Sequence, residues 1–244
     1  MAQAPTIRGD FLEKVRTDAV KVHRASVVRL TETGLQLSDG TALDADVIIA
    51  CTGYHTALPY LPADVLAGPT TPPNCVDLWK LMVPVRYRGL FVIGFFEGPG
   101  PTTVPAEAQA RLAAAAVSGR VALPPAPRME RDLRAWHAWH RRTFVQSERH
   151  RTSERFAPYV DSLLAPLGAQ PTLGALLARV FTSRRPWSAL RALFAVYFKI
   201  TSSAQWRLCG YGRDDLAQET VLRIADGKEK LTEAERVRVF ELKE

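Results

Sequence analysis

Asp44 to Tyr54 reads DADVIIACTGY, and the reading of this stretch decides the fold. Val47 to Ala50 is apolar throughout, with no polar alternation. A run of this kind fits a strand buried on both faces, as in a parallel α/β sheet. It breaks off at Thr52, Gly53 and Tyr54. Gly53 lacks a Cβ, so its backbone can take a positive φ or approach a ligand closely. A small polar turn at the end of a buried strand lies where open α/β sheets hold their ligands.

Upstream of this strand the signals are those of a β-meander. Val27, Val28 and Leu30 form one run, and Leu35 and Leu37 alternate with polar neighbours in a second. Glu32-Thr33-Gly34 and Ser38-Asp39-Gly40-Thr41 supply the turns. Downstream, residues 56–77 are rich in proline. A second apolar run, Leu90 to Phe96, predicts another buried strand, with Gly94 inside it where a missing side chain marks close approach. The loop Glu97 to Val104 follows. Pro105 then opens an Ala-rich helix that Gly119 closes. Strand, Gly/Pro loop and helix N-terminus together present N–H groups and the positive end of a helix dipole to an anion.

Beyond the proline-rich joint at residues 121–127 the chain reads as helical. Met129, Leu133, Trp136, His140 and Phe144 share one helix face. Phe156 to Leu167 predicts a second helix and Leu173 to Phe181 a third. Pro186 to Phe198 predicts a fourth, with Trp187, Leu190, Leu193, Phe194 and Tyr197 on its apolar side. Gln205 to Gly212 reads as loop or short extended chain. Helices over 214–225 and 232–242 close the chain, the last with a capping-box spacing at Thr232 and Glu235.

Composition narrows the function. The chain has 244 residues, 47% of them hydrophobic, enough for one large or two small cores. The net charge of +7 is uneven. Residues 1–120 balance 11 Lys/Arg against 11 Asp/Glu, so the excess lies in the second half, mostly as arginine. Solvated helix faces account for such an excess most simply, although a phosphate or an acidic surface would also match it. Cys51, Cys75 and Cys209 are far apart and read as reduced thiols in a cytoplasmic protein. The charged start does not suit a signal peptide. No run is long enough for a transmembrane segment, Leu190 to Phe198 being the most apolar candidate. His137 and His140 stand at a metal-compatible spacing but lack companions, so no metal is expected. No nucleic-acid motif accompanies the Trp/Arg-rich stretch. Asp77, Glu97 and Glu107 are candidate acids that no pattern singles out. No GxSxG nucleophile turn, GxGxxG or GxxxxGK[ST] occurs anywhere, so the chain does not hold a complete dinucleotide-binding unit of its own.

Four separated motifs, in order from Val20 to Ile224, resemble the C-terminal half of the flavin-containing monooxygenase (FMO-like) family. DADVIIACTGYHTALPYLP is similar to the family's ATGY-type strand and turn, with Cys51 between alanine and threonine. The stretch from Leu78 to Gly119 resembles its final sheet strand and the P-x-x-E-x-Q-A-R helix, here Pro105, Glu107, Gln109, Ala110 and Arg111. Arg149 to Pro171 resembles the helical segment ending in I-G-x-x-P, and Ala195 to Ile224 resembles the family's close. In that close, Lys199-Ile200-Thr201 replaces a Gly-Pro turn and Tyr211 replaces a proline.

The resemblance implies an α/β fold: part of an FAD/NAD(P)-binding flavoprotein of the class with two dinucleotide-binding domains, carrying a β-meander and a helical C-terminal portion. Residues 1–120 would complete the FAD-binding domain and residues 121–244 would form the helical region. The implied activity is flavin-dependent monooxygenation with FAD, NADP(H) and O2, acting on a soft nitrogen, sulfur or ketone in a small molecule. The implied cofactor-facing residues are Thr52, Gly53 and Tyr54 at the crossing between the FAD and NADP domains. Thr102, Thr103, Val104 and Pro105 would lie near the flavin ring, and Gly94 would be a further cofactor contact. The catalytic residue is unknown. Because the cofactor fingerprints are missing from this sequence, the chain alone is expected to be colourless and inactive. The alternatives are a non-catalytic remnant or binding module, and one half of a split enzyme that needs an N-terminal partner chain.

Overall fold

The computed structural model describes residues 9–53, 58–66, 75–98, 100–144, 152–199 and 202–227. The expected helix at 232–242 and the expected site residue Tyr54 lie outside the described residues. The chain divides into two compact units, Met1–Ala57 and Leu58–Glu244.

The first unit holds α1 (Phe11–Arg16) and the expected meander: β1 (Val27–Leu30), β2 (Gly34–Leu37) and β3 (Ala42–Asp44). The sheet is antiparallel in the order β1-β2-β3, with Leu30 opposite Leu35 and Leu35 opposite Leu43. Asp39 fixes the second turn by accepting the Thr41 N–H at 2.9 Å. The buried strand expected at 46–51 is not formed. The ladder stops after the Ala45 N–H meets Thr33 O, and the apolar run beyond it is unpaired and exposed, Val47 at 77% and Ile49 at 80%. An apolar run becomes a buried strand only where neighbouring strands take up its N–H and C=O groups. No such neighbour stands beside this one among the described residues.

The second unit is built on helices. A two-stranded hairpin, β4 (Leu78–Trp79) with β5 (Val83–Pro84), packs with α2 (Thr103–Val117), α3 (Ala126–Thr143) and α4 (Phe156–Leu164). Its core includes Leu78, Met82, Leu112, Met129, Leu163 and Trp206. The expected helix faces hold: Met129 and His140 are buried on α3, and Tyr159, Val160, Leu163 and Leu164 on α4. A 3₁₀ turn, Ala165–Leu167, extends α4 to Gly168. The second expected strand, Leu90 to Phe96, is also absent. Only the Val92 N–H, bonded to Met82 O at 2.8 Å, reaches the hairpin. Phe91, Val92, Phe95 and Phe96 instead lie half-buried on the helical core, which takes up their apolar surface without a ladder. Among the described residues, the parallel pairing expected of an α/β sheet is reduced to one isolated bridge, Glu97 with Ser153.

A second core joins α5 (Leu173–Thr182), α6 (Pro186–Phe198) and α7 (Asp215–Ala225). Thr172 caps α5 by accepting the Ala175 N–H, and Asp214 caps α7 by accepting the Leu216 N–H. The sequence reading of α6 is corrected. Its buried face is Ala189, Ala192, Leu193 and Ala195, whereas Trp187, Phe194 and Tyr197 are exposed. Small side chains let α6 lie close to its neighbours, and the bulky aromatics do not fit that seam. The stretch 205–212 begins within a 3₁₀ helix, Ser203–Arg207, instead of extended chain.

Candidate functional site

In the second unit, Gly94 and α2 are tied together by one side chain. Gly94 has φ +86°, and a Cβ there would meet nothing within 4 Å. Its N–H donates to Gln109 Oε1 at 2.8 Å. At the start of the same helix, Thr102 and Thr103 are exposed, Val104 is half-buried on the core, and Pro105 is buried. The helix begins at Thr103, two residues before the expected proline. No side chain caps it, and its first turn carries no acid. Its positive end therefore lacks the carboxylate that commonly offsets a helix dipole. Thr52 and Gly53 lie exposed in the first unit, Gly53 with φ +87° and likewise open around its missing Cβ.

Gln109 is fully buried. Besides accepting from Gly94, it donates through Nε2 to Tyr159 Oη at 2.7 Å and to Leu81 O at 3.3 Å. Tyr159 Oη donates onward to Lys80 O at 2.8 Å, and its ring stacks on Phe96 at 5.2 Å. Lys80 and Leu81 adopt left-handed φ values of 52° and 50°, which non-glycine residues hold only when their surroundings over-determine them. The Gln109–Tyr159 pair supplies that constraint.

Beside this hub is a cavity of about 210 Å³ lined by Trp79, Lys80, Asp132, Trp136, Glu154 and Tyr159. Lys80 Nζ donates to Ser162 O at 2.9 Å. Trp79 Nε1 donates to Asp132 Oδ2 at 3.1 Å, and Trp136 Nε1 donates to Glu154 Oε1. Burial pushes the Lys80 ammonium down to about 8, against the opposing pull of Asp132 and Glu154. Burial also raises the Glu154 carboxyl and the Tyr159 phenol. These polar groups engage one another and nearby backbone, so the cluster ties segments together.

The same helix anchors a third segment. Arg111 donates through Nη1 to Trp206 O at 3.0 Å and through Nη2 to Tyr211 O at 2.6 Å. Glu107 pairs with Arg207 at 2.8 Å. Pro105, Glu107, Gln109 and Arg111 thus each have a packing or bonding role. The sequence reading quoted them as a motif but missed Gln109 and Lys80 as a hub. The available signal was a glutamine on the buried face of an Ala-rich helix, since an uncharged polar side chain is buried only with partners. Of the sequence candidates for metal or acid chemistry, His137 Nε2 meets Asp77 Oδ1 at 2.9 Å, and Glu97 Oε2 accepts from Ser153 at 3.2 Å.

The chain belongs to the flavin-binding monooxygenase-like family, whose model matches residues 1–241. It is 28% identical over 229 residues to flavin-containing monooxygenase 5 of Mus musculus, covering 93% of this chain and 40% of that protein. It is 28% identical over 225 residues to dimethylaniline monooxygenase (N-oxide-forming) 2 of Rattus norvegicus, covering 91% and 40%. It is 29% identical over 220 residues to flavin-containing monooxygenase 2 of Homo sapiens, covering 89% and 39%. The chain therefore spans about 40% of the length of these curated relatives. No helix among the described residues is long and apolar enough to cross a membrane.

Proposed function

We propose that this chain is the C-terminal part of a flavin-dependent monooxygenase that uses FAD, NADPH and O2 to oxygenate a soft atom of a small-molecule substrate. Family membership across residues 1–241 carries the reading. The name of the rat relative, N-oxide-forming, favours nitrogen over sulfur or a ketone carbon. FAD, when bound, would supply the oxygen chemistry, while the residues of this chain would help to bind and orient it and to exclude water.

Gly94 and Gly53 suit such a cofactor because both are open where a Cβ would stand and both hold a positive φ. In this reading Gly94 and the segment Thr102 to Pro105 lie near the flavin ring, where the uncapped end of α2 favours negative charge. Thr52, Gly53 and Tyr54 lie at the crossing between FAD and NADP segments. Residues 1–120 complete the FAD-binding domain, and residues 121–244 buttress it. The exposed apolar run Val47 to Ile49 takes up strand partners from a segment that carries GxGxxG, in the same polypeptide or in a partner chain.

The test is to purify the chain alone and together with a relative's N-terminal segment bearing that fingerprint. Flavin absorbance near about 450 nm and NADPH oxidation are then recorded. The chain alone is expected to be colourless, and the pair to be yellow and to oxidise NADPH. Stoichiometric flavin on the chain alone overturns the need for the other segment. A colourless, inactive pair overturns the monooxygenase reading in favour of a remnant.

A further inference from the structure

Away from the hub, the C-terminal end of α5, the link to α6 and the first turns of α7 enclose a cavity of about 530 Å³. Its lining includes Arg179, Arg184, Arg185 and Arg213, against two carboxylates, Asp215 and Glu219. Both carboxylates are committed. Asp215 pairs with Arg179 at 3.2 Å, and Glu219 pairs with Arg185 at 3.3 Å. Arg179 is held further by its Nε, which donates to Gln218 Oε1 at 3.0 Å, so it forms a fixed wall. Arg184 and Arg213 have no carboxylate partner among the described residues. Among the described residues, two positive charges in the lining are thus left without a carboxylate counter-charge.

The lining also carries the Ser183 hydroxyl, whereas the Thr182 hydroxyl is spent on Ala178 O at 2.9 Å. Ser183 Oγ accepts the Arg185 N–H at 3.1 Å, which leaves its O–H as a donor toward a ligand. Guanidinium groups are always charged and match phosphate oxygens as planar, two-toothed donors. A concave surface with two guanidiniums that no described carboxylate pairs, one donor hydroxyl and the volume of a small-molecule site therefore favours a compact dianion over an apolar ligand.

We propose that this cavity is a phosphate-binding site that takes the phosphate group of an organic phosphoester, with Arg184 and Arg213 as its charge-neutralising ligands. Two sources share this chemistry: a soluble phosphomonoester and the phosphomonoester headgroup of phosphatidic acid. Phe181 and Trp187, which flank the lining residues in sequence, are 86% and 79% exposed, as an aromatic rim at a lipid surface would be. The lining shares no residue with the proposed flavin contacts, so the proposal stands whether or not the oxygenase reading does.

The experiment uses the full chain. Glycerol 3-phosphate is titrated calorimetrically in one arm. In the other, sedimentation with phosphatidic acid vesicles is compared with phosphatidylcholine vesicles. Binding is expected in at least one arm, and the arm names the source. The double variant Arg184→Gln/Arg213→Gln should weaken it tenfold or more. Both side chains are exposed, and an unchanged circular dichroism spectrum confirms the fold. A charge-matched control, Arg131→Gln/Arg141→Gln, should bind as wild type does. Absence of binding in both arms, or equal loss in the two double variants, overturns the proposal.

Discussion

Gln109 accepts the Gly94 N–H at 2.8 Å while donating to Tyr159 Oη at 2.7 Å. One buried amide therefore fixes the open glycine turn to α2 and α4 together. Gln109→Leu should leave Leu81 O without its partner inside the core and should cost the exposed Gly94 N–H its bond to α2. The orphaned carbonyl costs about 1–3 kcal/mol and the lost Gly94 bond about 0.5–1.5 kcal/mol, so a destabilisation of about 2–4 kcal/mol is expected. Urea denaturation of the isolated chain measures it. A loss under about 1 kcal/mol would show that water replaces the amide, and that Gln109 is not the hub.

Lys80 makes the stability of the second unit depend on pH in a stated direction. Its folded-state value of about 8 lies below the ordinary 10.5, because burial disfavours the ammonium more than Asp132 and Glu154 favour it. Below about pH 8 the lysine is charged in both states, and its burial penalty is fully present. As pH rises from about 8 to 10.5, the unfolded chain holds more protons than the folded one, and the penalty fades. Wild type should gain on the order of 3 kcal/mol relative to Lys80→Met across this window. Denaturation midpoints of both proteins at pH 7.5, 9 and 10 check this. A constant difference means that Lys80 titrates normally.

The helices were legible because their signal is local. The spacing of Met129, Leu133, Trp136 and His140 needs only its own side chains to define a face, and α3 buries Met129 and His140 as that spacing requires. The meander was legible for the same reason, through the Asp39-Gly40 turn. The two apolar runs were misread because a strand is a property of its neighbours. Val47 to Ile49 has none beside it among the described residues, and Leu90 to Phe96 rests on helices. On α6 hydrophobicity pointed to the aromatics, but closeness of packing selected Ala189, Ala192 and Ala195. The Gln109 hub was hidden because its partners Gly94, Leu81 and Tyr159 are scattered along the chain, and periodicity carries no long-range information.

Gly210 should tolerate no side chain. Its φ is +66°, and a Cβ there would overlap the backbone of Gly168 and Ala169, where the chain turns after α4. Backbone cannot yield as a side chain can, so Gly210→Ala combines strain with a clash and should destabilise by about 3 kcal/mol or more. Gly119→Ala is the matched control. It has φ +70° but open space around the missing Cβ, and should lose only about 1 kcal/mol. Thermal unfolding of the two variants separates clash from strain. Equal losses would mean that the close approach of the two turns relaxes.

Gly94→Ala separates fold from cofactor contact. The position is open within 4 Å, so the substitution adds left-handed strain of about 1 kcal/mol without a clash. The Gly94 N–H can still reach Gln109, and the isolated chain should unfold at nearly the wild-type midpoint. In the enzyme completed with an FAD-fingerprint segment, the added methyl would occupy the space proposed for the flavin. Flavin occupancy should then fall about tenfold, equivalent to about 1.4 kcal/mol of binding. Absorbance and fluorescence of released flavin per mole of protein report it. Full occupancy in the variant would place the flavin elsewhere, and Thr102 to Pro105 would lose their assignment with it.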